Sequence, residues 1–396
     1  MTDIASRLEE LRESGLYRRL RLISSPQGPR VTLDGCPVLL LCSNDYLGLA
    51  DHPRVRAAAA EAAMRWGAGA GASRLISGNM QPHRALEERL AAFKGYEAAL
   101  LFGSGYLANV GTIAALAGRG EVVFSDELNH ASIIDGCRLS RAETFVYPHG
   151  DVEHLAWGLR EAGERASLIV SDGLFSMDGD VAPLTELTEL ARRHGCRLMV
   201  DEAHATGALG PGGRGTVAAA GLSGEVDVVV GTLGKALGAY GAYVCASREL
   251  TDYLLNAART FVFSTAPAPP ATAASLAALE LLESHPHRVE RLAENAATLR
   301  RALAAEGLEV GGSQSQIVPV TVGDASRTME LCERVLERGV FAQGIRPPTV
   351  PPGSSRLRFT VLATHRAGEL ERAAKLVGGA ARELGVATGD TAAVAA

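Results

Sequence analysis

The sequence predicts an α/β protein: a large unit with a mostly parallel sheet sandwiched by helices, and a smaller α+β unit at the C-terminal end. Three observations predict it. From His83 to Cys245, short apolar runs alternate with stretches of helical periodicity, the pattern of parallel strands joined by crossover helices. After Phe261–Val262–Phe263–Ser264–Thr265 that alternation stops, and Pro267, Pro269 and Pro270 mark a break. At 396 residues the chain is also too long for one small core, so more than one unit is expected. The boundaries drawn on this basis are an N-terminal helix and arm over 1–45, a large domain over 46–268, a small domain over 269–385 and a disordered tail over 386–396.

Each element has its own reason. Ile4, Leu8, Leu11, Leu16 and Leu20 keep roughly helical spacing, so an amphipathic helix is expected from Thr2 to about Arg21. Arg18, Arg19 and Arg21 would close it, at the end where cations are favoured. Val38–Cys42 reads as a buried strand running into Ser43–Asn44–Asp45–Tyr46–Leu47–Gly48, a polar turn able to present Asn44. The Ala-rich stretch Pro53–Trp66 has high helix propensity. The Gly/Ala run over 67–72 then leads into Ser73–Arg74. So few side chains let backbone approach a ligand or another chain, and Arg74–Leu75–Ile76 argue for an ordered segment rather than a linker.

A helix from His83 to Phe93 and a strand Ala98–Phe102 follow, and Gly103–Ser104–Gly105–Tyr106 opens a helix to Leu116. Strand, Gly-rich turn and helix can hold a phosphate at the helix N-terminus, although the spacing is not G-x-G-x-x-G. Next come the strand Glu121–Ser125, a helix opening at Glu127–Ser132, the strand Thr144–Tyr147, a helix from Asp151 and the strand Ser167–Ser171. A polar loop, Gly173–Asp180, precedes the helix Leu184–His194 and the strand Arg197–Val200, which ends in Asp201–Glu202–Ala203–His204. Val226–Val230 and Ala242–Cys245 are further strands. The C-terminal part reads as a helical stretch from Ala271 to Glu306 interrupted near His285–Pro286, strand Gln316–Val322, helix Arg327–Arg338, strand Arg356–Val361 and helix Ala367–Leu384.

Bulk properties narrow the function. A net charge of −6 argues against nucleic acid as the main partner. Cys36, Cys42, Cys137, Cys196, Cys245 and Cys332 are scattered without a C-x-x-C pair, which argues for free thiols in a reducing cytoplasm and against a metal site. No apolar run has membrane-spanning length, and Asp3, Glu9 and Glu10 do not suit a signal peptide, so no membrane partner is expected.

The chemistry gathers on Val228–Val229–Val230–Gly231–Thr232–Leu233–Gly234–Lys235–Ala236–Leu237–Gly238, a buried strand ending in a Gly-flanked lysine. A P-loop would need four residues between its glycines and a hydroxyl after the lysine; here two residues intervene and Ala236 follows. A lysine in apolar surroundings suits Schiff-base chemistry, while a solvated loop lysine is the plainer alternative. Ser176, Asp201, His204 and Lys235 all fall at predicted strand ends, where open α/β sheets bind ligands. Pyridoxal phosphate (PLP) gives each such group something to do, the amine forming the Schiff base, the carboxylate meeting the ring nitrogen and the imidazole covering the ring face. Singly, Asp201 could cap a helix, His130 and His204 could be structural, and Ser176 could cap a turn.

Taken together these motifs resemble the α-oxoamine synthases, PLP enzymes of fold type I, from about Thr2 to Leu384. The resemblance is carried by residues 43–49 (S-N-D-Y-L-G-L), 73–78 (S-R-L-I-S-G), 125–132 (S-D-E-L-N-H-A-S), 175–180 (F-S-M-D-G-D), 201–204 (D-E-A-H) and 232–235 (T-L-G-K). It implies that Lys235 holds PLP, Asp201 pairs with the pyridinium, His130 stacks on the ring, and Ser176 and His204 face the phenolic oxygen. It implies Gly105, Tyr106 and Thr232 at the phosphate, with Ser264 or Thr265 reaching the phosphate of a partner subunit. Arg358, helped by Asn44, would take the amino-acid carboxylate, and Arg18 and Thr349 would touch the acyl substrate. Residues 345–353 (I-R-P-P-T-V-P-P-G), and more weakly Ser73, resemble members that use L-alanine with a pimeloyl thioester rather than glycine. That implies a decarboxylative condensation in biotin synthesis by a homodimer with its active site at the subunit interface. The acyl carrier, coenzyme A or a carrier protein, stays open. The alternatives are a glycine-using member (2-amino-3-ketobutyrate ligase or 5-aminolevulinate synthase), a PLP aminotransferase, or a non-catalytic α/β binding protein.

Overall fold

The structure, a computed structural model, describes residues 3–14 and 16–386. Beyond Val386, the tail expected to be disordered lies outside the described residues. A hairpin comes first, β1 (Arg30–Leu33) and β2 (Cys36–Leu40). The central sheet is built from β3 (Ala98–Phe102), β4 (Val122–Asp126), β5 (Glu143–Tyr147), β6 (Ala166–Asp172), β7 (Arg197–Asp201), β8 (Val228–Thr232) and β9 (Ala242–Ala246). Its seven strands lie in the order β3-β9-β8-β7-β6-β4-β5. Only β9 runs against its neighbours, so the sheet is mostly parallel, as the alternating sequence pattern requires.

Side chains alternate across this sheet, and both faces are covered. Leu168, Val170, Met199, Val228 and Val230 pack toward the helices Gly105–Leu116 and Ala131–Ser140. Ile169, Leu198, Val200 and Val229 pack on the other side, against Val152–Ala162 and Leu184–His194. Burying each such side chain stabilises the fold by roughly 1.5–3 kcal/mol, which is why the apolar runs settle as central strands. The same alternation carries Asp172, Asp201 and Thr232 to the carboxyl edge on the first face, with Asp172 opposite Asp201 in the ladder.

The C-terminal part contributes the helices Pro269–Ser284, His287–Ala305, Ala325–Glu337 and Ala367–Glu383. It also contributes β10 (Ile317–Gly323), β11 (Val340–Phe341), β12 (Gln343–Ile345) and β13 (Ser355–Thr360). The strands β10, β13 and β12 form an antiparallel sheet in that order. The N-terminal hairpin pairs through β2 with β11, so the first and last parts of the chain share a sheet.

Three expectations need correction, and one helix is added to them. The first helix spans only Ile4–Glu13: the Leu16 and Tyr17 amides fold back to the Leu11 carbonyl, so Arg18, Arg19 and Arg21 lie outside it and Arg12 occupies its last turn. The strand expected at Val38–Cys42 begins at Cys36 and is half of a hairpin turned at Asp34–Gly35, both with positive φ (47° and 84°). The helix expected from Glu127 begins at Ala131, because Asn129 is used to bind the Val170 carbonyl and the Asp172 amide of β6. A helix that the sequence reading passed over, Arg248–Ala257, is capped by Ser247, whose Oγ accepts from the Leu250 amide.

Candidate active site

Lys235 sits in the turn that follows β8, and its surroundings set its chemistry. Burial is the main cause that brings its amine down from an ordinary 10.5 to about 8, and the Arg358 charge acts the same way. Asp201 and Asp172 oppose the shift. The amine is therefore within reach of its neutral, nucleophilic form near physiological pH.

Asp201 ends β7 and is 4% exposed. Asn109, on the first turns of the helix that packs on the same face, donates from Nδ2 to Asp201 Oδ2 (2.6 Å) and to Ser132 Oγ (2.8 Å). The Ala203 amide donates to the other oxygen at 2.8 Å. Beside it, Asp172 accepts the His130 amide at 2.9 Å. Burial, and then the Asp201 charge, push the Asp172 carboxyl well above the usual carboxylate range. His130 caps the helix Ala131–Ser140, with Nδ1 2.7 Å from Ser132 Oγ. Burial depresses its pKa, Lys235 adds to that, and Asp201 opposes it.

His204 follows β7 and is buried. Its Nδ1 lies 2.6 Å from Tyr46 Oη, which donates to Asn44 Oδ1 at 3.1 Å. Its ring nitrogen Nδ1 is thus committed to Tyr46. Burial, and then Lys235 and Arg358, hold its pKa well below the ordinary imidazole value. Arg358 reaches this group from β13. It is 6% exposed, and its Nε donates to the Ser176 carbonyl. The Tyr46 hydroxyl is also a neighbour of the guanidinium, whose planar fork suits a carboxylate. Thr360 stitches β13 to the turn that carries Asn44, donating from Oγ1 to the Ser43 carbonyl at 2.7 Å.

At the start of the helix Gly105–Leu116, Ser104 accepts the Leu107 amide at 3.2 Å. The Gly105 and Tyr106 amides take no acceptor among the described residues, leaving donors at the positive end of the helix. The Tyr106 hydroxyl itself turns away to Asp135 (2.6 Å). Thr232 Oγ1 donates to the Gly241 carbonyl (3.1 Å) and accepts the Gly234 amide (3.3 Å). These residues fit PLP: open amides for a phosphate, a buried carboxylate for the ring nitrogen, a softened lysine, and an Asn109 Oδ1 left without a partner beside them.

Other site residues from the sequence lie farther out. Ser73 and Thr265 form an antiparallel bridge with each other, next to Ser264. Arg18 and Thr349 line a cavity of about 910 Å³ with Arg19, Arg21, Arg346 and Met329, and Lys235 is not among its lining residues. Asp172, Asn109 and Tyr46 escaped the sequence reading. Asp172 carried one usable signal, an acid closing an apolar strand as Asp201 does.

The aminotransferase class I and II family model matches residues 37–377. The chain is 54% identical to an 8-amino-7-oxononanoate synthase of Citrifermentans bemidjiense, over 98% of this chain and 100% of that one. It is 55% identical to one of Geobacter metallireducens, over 97% and 99%. The chain belongs to the α-oxoamine synthases of this family. Its fold is that of the fold type I PLP enzymes. A serine palmitoyltransferase from S. paucimobilis, solved with PLP and myriocin bound, superposes with a TM-score of 0.92 at 33% identity over 97% of this chain and 98% of that chain. An 8-amino-7-oxononanoate synthase from Francisella tularensis gives 0.76 at 27% identity, over 87% and 98%. The family is PLP-dependent, and PLP is this chain's cofactor.

Proposed function

We propose that the chain makes 8-amino-7-oxononanoate from L-alanine and a pimeloyl thioester, releasing carbon dioxide and the free thiol, in biotin synthesis. The observation that carries this reading is Arg358, a buried guanidinium held by the Ser176 carbonyl, whose charge adds to burial in lowering the pKa of Lys235 and of His204. A fork there recognises an α-carboxylate next to the amine chemistry of Lys235.

In this reading Asp201 holds the proton of the cofactor's ring nitrogen and Asn109 holds Asp201. His130 would lie against the ring, Ser176 and His204 would meet the phenolic oxygen, and Gly105, Tyr106 and Thr232 would hold the phosphate. PLP, when bound, supplies a sink for the electron pair left on the α-carbon. Lys235 Nζ removes the α-proton of alanine and later returns one. Arg358, with Asn44, anchors the carboxylate until it leaves as carbon dioxide. The cavity shared by Arg18 and Thr349 receives the acyl chain.

A homodimer is part of the proposal. Ile76 (80% exposed) and Phe263 (71%) are large apolar side chains near the Ser73–Thr265 bridge, which suits a second subunit. Ser73, Ser264 and Thr265 would serve that neighbour. A cytoplasmic setting is also proposed, supported by six free cysteines. Among the described residues no helix is long and apolar enough to cross a membrane.

Backbone likeness favours a second reading, a serine-using enzyme, because the serine palmitoyltransferase superposes better than the Francisella synthase. Sequence identity points the other way, and side chains rather than backbone select substrates. The test is product mass and carbon dioxide release from the PLP-loaded chain given alanine, glycine or serine, each with pimeloyl, acetyl, succinyl and palmitoyl thioesters. Alanine with the pimeloyl thioester is expected to dominate. Faster turnover with serine or glycine, or amino transfer to a keto acid without carbon dioxide, would overturn the reading.

A further inference from the structure

The turn Phe175–Asp180, which carries Ser176, hangs between two bodies of structure. On one side it meets His149, from the segment after β5. His149 Nδ1 lies 3.0 and 3.1 Å from the two oxygens of Asp126, at the end of β4, and Nε2 lies 2.8 Å from Asp180 Oδ2. Both ring nitrogens face carboxylate oxygens. A neutral imidazole has one N–H and would turn a lone pair toward an anion, so two facing carboxylates favour the doubly protonated ring. The two carboxylates indeed raise its pKa from 6.5 to about 10, Asp126 acting most strongly, against an opposing effect of burial.

Asp126 is itself fixed, accepting the Leu128 amide (2.9 Å) and the Gly150 amide (3.0 Å). The His149 ring also stands edge-on to buried Phe175, with centroids 4.4 Å apart and planes at 82°. On the other side of the turn, Asp178 pairs with Arg356 and the Ser176 carbonyl accepts from Arg358, both from β13. Within the turn, Phe175 and Asp180 are tied by an amide-to-carbonyl bond of 2.9 Å, and Gly179 N donates to Phe175 O at 2.9 Å. The turn is thus one closed unit, pinned to the parallel sheet by His149 and to the antiparallel sheet by two arginines.

We propose that His149 is a positioning residue: it clamps the Phe175–Asp180 turn to β4 and so aims both the Ser176 hydroxyl at the cofactor and Arg358 at the amino-acid carboxylate. The proposal rests on the PLP condensation proposed for this site. It follows that loosening one clamp disturbs two ligands at once, although His149 touches neither.

The test uses His149→Gln, Asp180→Asn and the double variant of the full chain, each with and without PLP. Three quantities are measured: the thermal midpoint, the PLP dissociation constant, and the alanine dissociation constant from the absorbance change of the loaded protein. Loss of one charged hydrogen bond predicts about tenfold weaker binding of both ligands in each single variant. The double variant should bind no worse than the weaker single, because either change opens the same clamp. Folded variants with wild-type affinities for both ligands overturn the proposal, as do losses that multiply in the double variant. A fall in thermal midpoint alone, with ligand binding unchanged, also overturns it. If His149→Gln does not fold, Asp180→Asn decides, since its side chain is 32% exposed and tolerant of change. A wild-type protein that ignores alanine would refute the substrate reading, while the PLP comparison would still judge the clamp.

Discussion

Lys235 should capture PLP with a pH dependence that an ordinary lysine cannot show. The perturbation is pH. With the amine at about 8 instead of 10.5, roughly one-tenth is neutral at about pH 7, some 300-fold more than for an unperturbed lysine. The rate of Schiff-base formation by the apo chain should rise about fiftyfold from about pH 6 to pH 8, and at most about twofold beyond. The signs for neighbours follow from their charges. Asp201 stabilises the ammonium form, so Asp201→Asn should move the break to lower pH; Arg358 disfavours it, so Arg358→Gln should move the break to higher pH. The assay is rapid mixing of apo protein with PLP, followed by absorbance and checked by borohydride trapping. Dividing by the rate for a free lysine analogue removes the titration of PLP itself. A rate that still climbs nearly tenfold per pH unit from about pH 8 to about pH 9.5, as for an ordinary lysine, would show that burial does not set this amine.

Three further outcomes are expected. Arg358→Lys keeps the charge but loses the fork, and should raise the KM for alanine about tenfold or more while leaving PLP absorbance intact, measured by initial rates. Asn109→Ala leaves Asp201 Oδ2 without its donor, and should weaken PLP binding about tenfold and lower stability by about 1–3 kcal/mol, read by fluorescence titration and urea unfolding. Glu202→Ala strands the Lys94 ammonium, which is 2% exposed beneath the sheet edge, and should cost about 3–5 kcal/mol in urea unfolding; a loss under about 1 kcal/mol would contradict a buried ion pair.

Much of this was readable before any coordinates, and the reasons are local. Pro53 at the start and Gly67 after the end delimit one helix, and the amphipathic Leu184–His194 ends at a left-handed Gly195; both spans match the sequence reading. The valine run of β8 and the acid ending β7 likewise announce themselves by burial period and position. The hairpin at Asp34–Gly35 was missed although Asp-Gly between apolar runs is a strong turn signal. Other gaps are tertiary. Whether Asn109 faces solvent or Asp201 depends on how its helix sits on the sheet, and Tyr46 meets His204 across 158 residues. No window of sequence contains either partner pair. Asp172 looks like any turn acid until the ladder sets it opposite Asp201.

The placement of Arg358 on β13 has a consequence for how the molecule matures. Lys235 in the turn after β8, Asp201 and Asp172 at the ends of β7 and β6, and His130 at the cap of the helix after β4 are all made before the chain reaches the helix His287–Ala305. Arg358 joins them across 182 residues, through the Ser176 carbonyl. Contacts of that span close late in folding. A nascent chain that has completed its parallel sheet can therefore own the groups that grip a cofactor while it lacks the one that reads a carboxylate. Synthesis thus completes the groups gathered around Lys235 well before it supplies Arg358, which arrives only with the final strand.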